Sequence, residues 1–266
     1  MASSRIFRDG LLVGKTAVVT GGGTNLGRYA AAELHACGAR VVIAGRTEEV
    51  LAQAAEEIGC EYAVGDIRDP DSAAGIAAAA GGRLDLLVNN AGGQYFVPAE
   101  SITAKGWAAV MRLNVEGTMT MTQAALPALR AAGGTVVNIT VSPHHGMPAM
   151  AHTGAARAAV EALTKELSAA EPEVGFVAAA IGRFDTESLR KYPEVVLRGA
   201  ARSVPLQRLG RMEEFGWLIA LLASPAGRAL DGSVVTLDGG ADNWTGPWPP
   251  PAMVDDQGTV PTEERR

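Results

Sequence analysis

Short apolar runs alternate with longer alanine-rich stretches along most of the chain. Seven of the runs have the length and composition of buried strands, and the alanine-rich stretches between them indicate helices. Strands and helices that alternate in this way form crossover units whose strands join a parallel sheet buried on both faces. We therefore predict one α/β domain, doubly wound around a parallel seven-stranded sheet.

Turn and capping residues set the expected bounds of these elements. Gly38 ends the first helix, Thr47 is placed to cap the second, and Gly133 with Gly134 breaks the helix that precedes the fifth strand. The predicted strands are residues 15–20, 40–44, 62–64, 85–88, 135–140, 174–180 and 233–237, and the predicted helices are residues 25–37, 48–58, 100–113, 114–131, 151–170 and 212–223.

Two segments depart from the alternation. Residues 182–210 lack clear periodicity and lie where such folds carry a substrate lid. Residues 241–266 are rich in proline, which excludes a helix or a central strand; this tail is either unstructured or an arm anchored by Trp244 and Trp248 on a neighbouring subunit or over the site. Residues 1–13 form an N-terminal arm, so the predicted domain spans residues 14–240.

Composition removes several classes of function. The chain of 266 residues has a net charge of −6, which argues against nucleic-acid binding. Cys37 and Cys60 fit no metal-ligand spacing, so no metal site is predicted, and they suit a reducing, cytoplasmic compartment. The N-terminus lacks the apolar region of a signal peptide, and no apolar run is long enough to cross a membrane.

A glycine-rich turn, TGGGTNLG at residues 20–27, follows the first predicted strand and opens the first helix. Glycines permit a tight turn and let backbone N–H groups approach a pyrophosphate, and the helix N-terminus adds positive partial charge. The flanking strand, helix and second βα unit are the context that a dinucleotide turn requires. We therefore predict a Rossmann-type site whose turn residues are Gly21, Gly23, Thr24, Asn25, Leu26 and Gly27.

Arg46 follows the second strand, where an acidic residue would bind the ribose 2′-hydroxyl of NAD(H). An arginine offers a planar fork to a 2′-phosphate instead, so the sequence favours NADP(H) over NAD(H). Asp66, after the third strand, either accepts a hydrogen bond from the adenine amino group or only starts the turn GDIRDP.

Four motifs in order resemble the short-chain dehydrogenase/reductases: the glycine turn, NNAG at residues 89–92, Asn114 in LNVEGT, and LDGG at residues 237–240. The resemblance covers about residues 14–240. It implies that the cofactor contacts also include Ile67, Asn90, Ala91, Gly92, Arg157, Gly182 and Thr186.

Residues 89–107 and 152–165 are similar to the peroxisomal trans-2-enoyl-CoA reductase branch and, more loosely, to 2,4-dienoyl-CoA reductases. Two positions depart from the usual pattern. Asn25 replaces the middle glycine of the turn, which adds a side chain near the pyrophosphate, although asparagine tolerates left-handed backbone angles. Ile181 stands where a proline usually precedes Gly182.

The resemblance implies a serine after the fifth strand, a tyrosine thirteen residues later and a lysine four residues beyond it. The matching positions hold Thr140, Thr153 and Arg157, and the last two share one helix face. A threonine hydroxyl is too weak an acid to protonate an alkoxide. Arg157 is permanently charged and cannot relay a proton, although it can hold the nicotinamide ribose and supply a positive field. These residues therefore disfavour ordinary ketone reduction.

Reduction of an enoyl thioester asks less of the site, because donors aimed at the enolate oxygen suffice. Thr140 and Thr153 are such donors, and Asn114 is expected to support the site through a water or a backbone carbonyl. The proton for the α-carbon comes from water or from a side chain within reach; the candidates are Tyr95, His144, His145 and His152, each of which has an alternative interpretation as a structural residue.

We therefore expect an NADPH-dependent reductase of an activated C=C bond, in an enoyl thioester or an enone. A carbonyl reductase with a displaced acid, a non-redox lyase, isomerase or cyclase, and a binding-only pseudoenzyme stay open. The expected partner is a small molecule, with acyl-CoA one option. The resemblance also implies a homodimer or homotetramer formed through helices 100–131 and 151–170. Five basic residues of the lid either bind the phosphates of CoA or only form a solvated charged surface: Arg183, Arg190, Lys191, Arg198 and Arg202.

Overall fold

Seven parallel strands form one sheet in the order β3-β2-β1-β4-β5-β6-β7 in the computed structural model, which describes residues 3–142, 144–146, 149–190 and 194–243. Every neighbouring pair of strands runs parallel, so the predicted doubly wound, seven-stranded fold is confirmed. The strands are β1 (Thr16–Thr20), β2 (Arg40–Gly45), β3 (Glu61–Val64), β4 (Leu86–Asn89), β5 (Thr135–Val141), β6 (Gly175–Ile181) and β7 (Val234–Leu237).

Helices cover both faces of the sheet. Helices α1, α2 and α9 bury apolar side chains on one face, and α3, α5 and α6 pack on the other. Burial of this apolar surface is the main favourable term in the stability of the fold. The helices are α1 (Asn25–Ala36), α2 (Glu48–Ile58), α3 (Pro70–Ala78), α4 (Ala104–Met111), α5 (Gly117–Ala132), α6 (Ala151–Ala170), α7 (Glu187–Arg190), α8 (Glu194–Arg202) and α9 (Met212–Ala223).

Helix α3 was not predicted. Its N-terminus carries a recognisable signal, because the Asp69 side chain accepts a hydrogen bond from the Ser72 amide at 2.9 Å and Pro70 occupies the first turn. Both features are typical of a helix start. Thr47 does stand at the N-cap of α2 as predicted, but its side chain makes no capping hydrogen bond.

The predicted boundary between helices 100–113 and 114–131 is wrong. Helix α4 continues into α5 through a π-helical turn at Arg112–Glu116. Asn114 lies in this turn, and its Nδ2 donates to the Val110 carbonyl oxygen at 2.8 Å. A π-turn adds a residue to the helix without ending it, and such turns are frequent at functional sites.

The N-terminal arm and the lid contain more structure than their patterns indicated. Leu12 is buried in the core under α1, and Phe7 and Leu11 pack against the same cluster. The lid carries α7 and α8, which the aperiodic sequence of residues 182–210 did not predict. Of the C-terminal tail, residues 241–243 form a 3-10 turn, whereas Trp244 and Trp248 lie outside the described residues. In the described part of the chain, no helix is both apolar and long enough to span a membrane.

Candidate active site

The strand order reverses between β1 and β4, and a crevice opens at the carboxyl ends of these strands. Thr20 closes the floor of this crevice: its Oγ1 accepts hydrogen bonds from the Asn90 and Ala91 amides at 3.1 and 3.0 Å. The same hydroxyl donates to the Val88 carbonyl oxygen at 3.2 Å. Thr20 therefore fixes the start of the NNAG motif to the start of the glycine turn, although sequence reasoning did not single it out.

The glycine turn has the tight geometry that a pyrophosphate site requires. Gly21 has a φ of 64°, and a side chain at Gly27 would collide with the Gly21 carbonyl oxygen. Asn90 Nδ2 donates to the Thr20 and Gly21 carbonyl oxygens at 2.9 and 3.3 Å, which holds the turn on the sheet. The backbone therefore forms a tight cradle whose shape fits a dinucleotide pyrophosphate.

A cleft of about 320 Å³ runs beside the turn and is lined by Arg46, Asp66, Ala91 and other predicted cofactor residues. Arg46 is exposed there and forms no hydrogen bond or ion pair within the described part of the chain. Asp66, in contrast to Arg46, is paired within the protein. The Arg68 guanidinium binds both of its oxygens and lowers the pKa of this carboxyl to about 2. Among the described residues that line it, the cleft therefore offers the Arg46 guanidinium, which forms no hydrogen bond, and the ionised carboxylate of Asp66.

Four further predicted cofactor residues lie at the same edge of the sheet. Ile67 and Gly92 line the cleft, and Leu26, in the first turn of α1, packs against the hydrophobic core. Gly182 follows β6 and donates to the Leu237 carbonyl oxygen at 3.0 Å, in a position where a side chain would collide with Asp238.

Asn114 supports the NNAG segment as expected. Its Oδ1 accepts from the Gly93 amide at 3.2 Å, and its Nδ2 donates to the Gly93 carbonyl oxygen at 2.9 Å. A side chain at Gly92 would meet both Asn114 and the Arg157 guanidinium. Asn114 therefore positions the loop that lies over Arg157.

Arg157 is a buried cation that no described carboxylate neutralises. Its Nη1 donates to the Ile139 carbonyl oxygen at 2.6 Å, whereas its Nε has no partner among the described groups. Burial lowers the pKa of the guanidinium to about 10, so it stays charged near neutral pH. Thr153 lies one helical turn away, fully buried, and its Oγ1 has no described partner either. Unsatisfied buried donors are rare in native proteins, so each of them needs an explanation.

Tyr95 and His152 form a second group beside Thr153. Their rings are 4.4 Å apart, edge to face, and His152 is fully buried with no described partner for either ring nitrogen. Tyr95 is half-exposed, and its hydroxyl lies close to Gly106 of α4, where an added side chain would displace it. The structure thus brings Tyr95 and His152 into contact.

Thr140 belongs to a different set of contacts. Its hydroxyl donates to Glu161 Oε1 at 2.7 Å, and the same oxygen lies 3.0 Å from His144 Nε2. His144 Nδ1 is 2.5 Å from Asp242, which His145 approaches at 4.0 Å. The Thr140 hydroxyl therefore donates to a carboxylate, whereas the sequence predicted that it donates to the enolate oxygen of a substrate. Glu161 and Asp242 were not singled out by the sequence, although Glu161 continues the helix face of Thr153 and Arg157.

The carboxylates around His144 decide its charge. Burial opposes the imidazolium, but the bonds and charges of Asp242 and Glu161 outweigh burial and raise the pKa of His144. Burial likewise opposes the Asp242 carboxylate, and the bonds from His144 outweigh it and lower the pKa of Asp242. Asp238, which binds Ser142 and the Asp242 amide, completes the group.

The lid meets the glycine turn at Asn25. Asn25 has a φ of 44°, so the left-handed backbone expected for asparagine is confirmed. Its Oδ1 accepts a hydrogen bond from the Glu187 amide at 3.1 Å. Thr186, just before α7, accepts a long hydrogen bond from the Leu189 amide.

The basic residues of the lid do not form one cluster. Arg190 is paired with Asp185, and Arg198 with Glu194. Arg183 donates to the Ser203 hydroxyl at 2.8 Å, and Lys191 lies outside the described residues. Among the described side chains, no group of three or more histidine, cysteine, aspartate or glutamate residues is arranged so that it could hold a metal ion.

The chain is similar to known reductases in both sequence and structure. A family model described as enoyl-(acyl carrier protein) reductase matches residues 22–242. The peroxisomal 2,4-dienoyl-CoA reductase of Danio rerio is 31% identical over 257 residues, which cover 90% of this chain and 85% of that protein. The rhamnolipids biosynthesis 3-oxoacyl-(acyl-carrier-protein) reductase of Pseudomonas aeruginosa is 34% identical over 249 residues, covering 86% and 96%. The solved Pseudomonas aeruginosa RhlG/NADP active-site complex has a TM-score of 0.82 and 32% identity, covering 89% of this chain and all of that one.

Replacing Arg157 with an uncharged residue tests how much the buried charge lowers the stability of the fold. Arg157→Met should raise the free energy of unfolding of the ligand-free protein by about 1–3 kcal/mol, because it removes an uncompensated buried charge. Urea titration measures this change, with Arg157→Lys as the control that retains a charge. A Met variant less stable than both the parent and the Lys variant would show that Arg157 is structural.

The His144 group should make stability depend on pH. Because the folded pKa of His144 is raised, its contribution is fully present below about pH 6.5 and is lost as the pH rises through the folded value. The Asp242 contribution, with a lowered pKa, is lost only on strong acidification. The difference in unfolding free energy between the parent and His144→Gln should therefore shrink from pH 6 to pH 9, and Asp242→Asn should weaken that trend. A difference that stays constant over this range would contradict it.

Proposed function

The chain belongs to the short-chain dehydrogenase/reductase family of oxidoreductases, and we propose that it is an NADPH-dependent reductase of an activated C=C bond in an enoyl thioester or enone. One observation carries the proposal: Arg157 and Thr153 are buried side by side with unpartnered donors, at the positions where the family usually has its lysine and tyrosine. The site thus retains groups that stabilise negative charge and lacks the usual proton relay.

The residues of the crevice suit NADP(H). The glycine cradle would hold the pyrophosphate, Arg46 the 2′-phosphate, and Arg157 with the NNAG loop the nicotinamide ribose. The solved relative with NADP in its active site supports this assignment. When bound, NADPH supplies a hydride to the β-carbon of the substrate double bond.

Hydride addition at the β-carbon moves the π electrons onto the carbonyl oxygen as an enolate. We assign the Thr153 hydroxyl to donate to this oxygen and the Arg157 cation to stabilise its charge. Thr140 contributes less directly, because its hydroxyl binds Glu161. Such preorganised donors act strongly in a buried site because the local dielectric is low.

The α-carbon then takes a proton, which completes the saturated product. Three candidates could donate this proton: the buried His152 ring, the hydroxyl of Tyr95, whose ring contacts His152, and water. Neither Thr153 nor Arg157 can supply this proton near neutral pH, because both hold theirs too tightly.

Carbonyl reduction is the second candidate, favoured by the 3-oxoacyl relative and by the Tyr95–His152 contact. It would require Tyr95 to protonate an alkoxide as it forms, which is a role for a tyrosine of lowered pKa. No lysine or arginine bonds to the Tyr95 hydroxyl among the described side chains, so we rank this reaction below C=C reduction.

The substrate class and assembly are part of the proposal. Relatives act on CoA and acyl-carrier-protein thioesters by name, which makes a thioester the first substrate to test. An apolar groove between α5 and α6, lined by Val115, Met119 and Leu163, fits pairing of two copies of the chain through these helices. Such a groove would bury its apolar surface in a homodimer or homotetramer.

The decisive assay follows NADPH oxidation with matched 2-enoyl, 2,4-dienoyl and 3-oxoacyl thioesters. We expect turnover of the unsaturated substrates and a loss of about 10²-fold in kcat/KM for Thr153→Val, the size seen when one oxyanion donor is removed. Because the Thr153 hydroxyl has no described partner, valine should leave folding intact, and Thr236→Val on β7 serves as the control. Faster turnover of the 3-oxoacyl substrate would assign the site to carbonyl reduction, and no NADPH binding would exclude both.

Arg46 should set the choice of dinucleotide. Arg46→Ala should weaken NADPH binding about 10- to 100-fold, the range of a lost charge-assisted hydrogen bond, and leave NADH binding nearly unchanged. Fluorescence titration with both nucleotides measures the ratio. The control is Arg130→Ala, an exposed arginine paired with Glu171 near the end of α5. Equal losses for NADPH and NADH would remove Arg46 as the 2′-phosphate ligand.

A further inference from the structure

Asn25 links two parts of the site that lie 162 positions apart in the chain. It stands in the glycine turn at the first position of α1, and its Oδ1 accepts from the Glu187 amide at the start of α7. No other described acceptor binds that amide, whereas the Leu189 and Arg190 amides bind Thr186. The first turn of the lid helix therefore depends on the Asn25 carboxamide.

The orientation of this carboxamide is fixed by its partner. A backbone N–H can only donate, so the oxygen of Asn25 has to face Glu187. Its nitrogen, with two N–H donors, consequently points away from α7, and it has no partner in the described part of the chain. These free donors belong to the turn whose backbone forms the phosphate cradle.

We propose that Asn25 couples the lid to the dinucleotide, because its Oδ1 holds α7 in place while its Nδ2 donates to a pyrophosphate oxygen. The second half rests on the proposed NADPH site, and the first half does not. The glycine usual at this position of the family could make neither bond. Asparagine can replace it because it accepts the left-handed φ of 44° that the turn imposes.

Three substitutions distinguish the effect of losing the two side-chain hydrogen bonds of Asn25 from the effect of its left-handed backbone angle. Asn25→Gly retains the left-handed angle and loses both bonds. Asn25→Ala also loses both, and a side chain without polar groups at positive φ should in addition lower the Tm by about 2–4 °C. Asn25→Asp retains an acceptor for Glu187 and puts negative charge where the donors were.

Hydrogen exchange of the ligand-free protein tests the lid bond. The Glu187 amide should exchange about fivefold faster in Asn25→Gly and Asn25→Ala, as expected for loss of one hydrogen bond, and at the parental rate in Asn25→Asp. Peptides from α9 provide the internal reference. If the Glu187 amide of Asn25→Gly exchanged at the parental rate, the proposed hydrogen bond between Asn25 and the lid would be wrong. If exchange changed in Asn25→Ala alone, the effect of Asn25 would come from its backbone angle and not from its side chain.

NADPH binding tests the other side of the carboxamide. NADPH dissociation, measured by stopped-flow displacement, should be about fivefold faster for Asn25→Gly than for the parent and faster still for Asn25→Asp. Added salt should reduce the difference in dissociation rate between Asn25→Asp and the parent, because salt screens the added charge. Parental binding by the Asp variant would overturn the pyrophosphate bond. If the parent itself bound no NADPH, the proposed function and this bond would both fail, while hydrogen exchange would still decide the lid bond.

Discussion

The hydroxyl of Thr20 lies where the order of the sheet reverses, and it binds three backbone groups of β4 and the loop after it. In a doubly wound sheet the crossovers on either side of this point leave in opposite directions, which opens the crevice in which ligands bind. A buried hydroxyl that satisfies two amides and one carbonyl holds the two loops in one relative position. The cradle, the cleft with Arg46 and the NNAG loop over Arg157 all depend on that position.

Local signals made much of the fold predictable. Helix α6 spans residues 151–170 as predicted, and α9 spans residues 212–223, because acidic residues open α9 and prolines follow both helices. Helix α3 was missed because its buried face consists of Ala73, Ile76 and Ala77, which gives little contrast between its sides. The boundary at residue 114 was misplaced because the π-turn depends on the contact of Asn114 with Gly93 in the loop after β4, which periodicity does not show.

The site was predictable where its residues form motifs and unpredictable where they meet across the fold. The glycine turn and Arg46 follow from motifs within two βα units, and the pair Thr153 and Arg157 follows from the family resemblance. Glu161 joins Thr140 from another element, and Asp242 joins His144 from 98 residues away. No spacing rule predicts such contacts, since they arise only when the parallel strands bring their carboxyl ends to one edge.

The exchange of lysine and tyrosine for Arg157 and Thr153 has a consistent physical meaning. Arg157 retains its charge despite full burial, since even a pKa lowered to about 10 lies well above neutrality. A cation that cannot release its proton contributes a field and hydrogen bonds but no relay. Glu161, one turn further along α6, forms no ion pair with Arg157, and its carboxylate contacts Thr140 and His144 instead. The fold thus buries a charge that has no ion-pair partner among the described residues, which we expect to cost stability. Such a charge is useful where negative charge has to be held instead of protonated at once, as in an enolate.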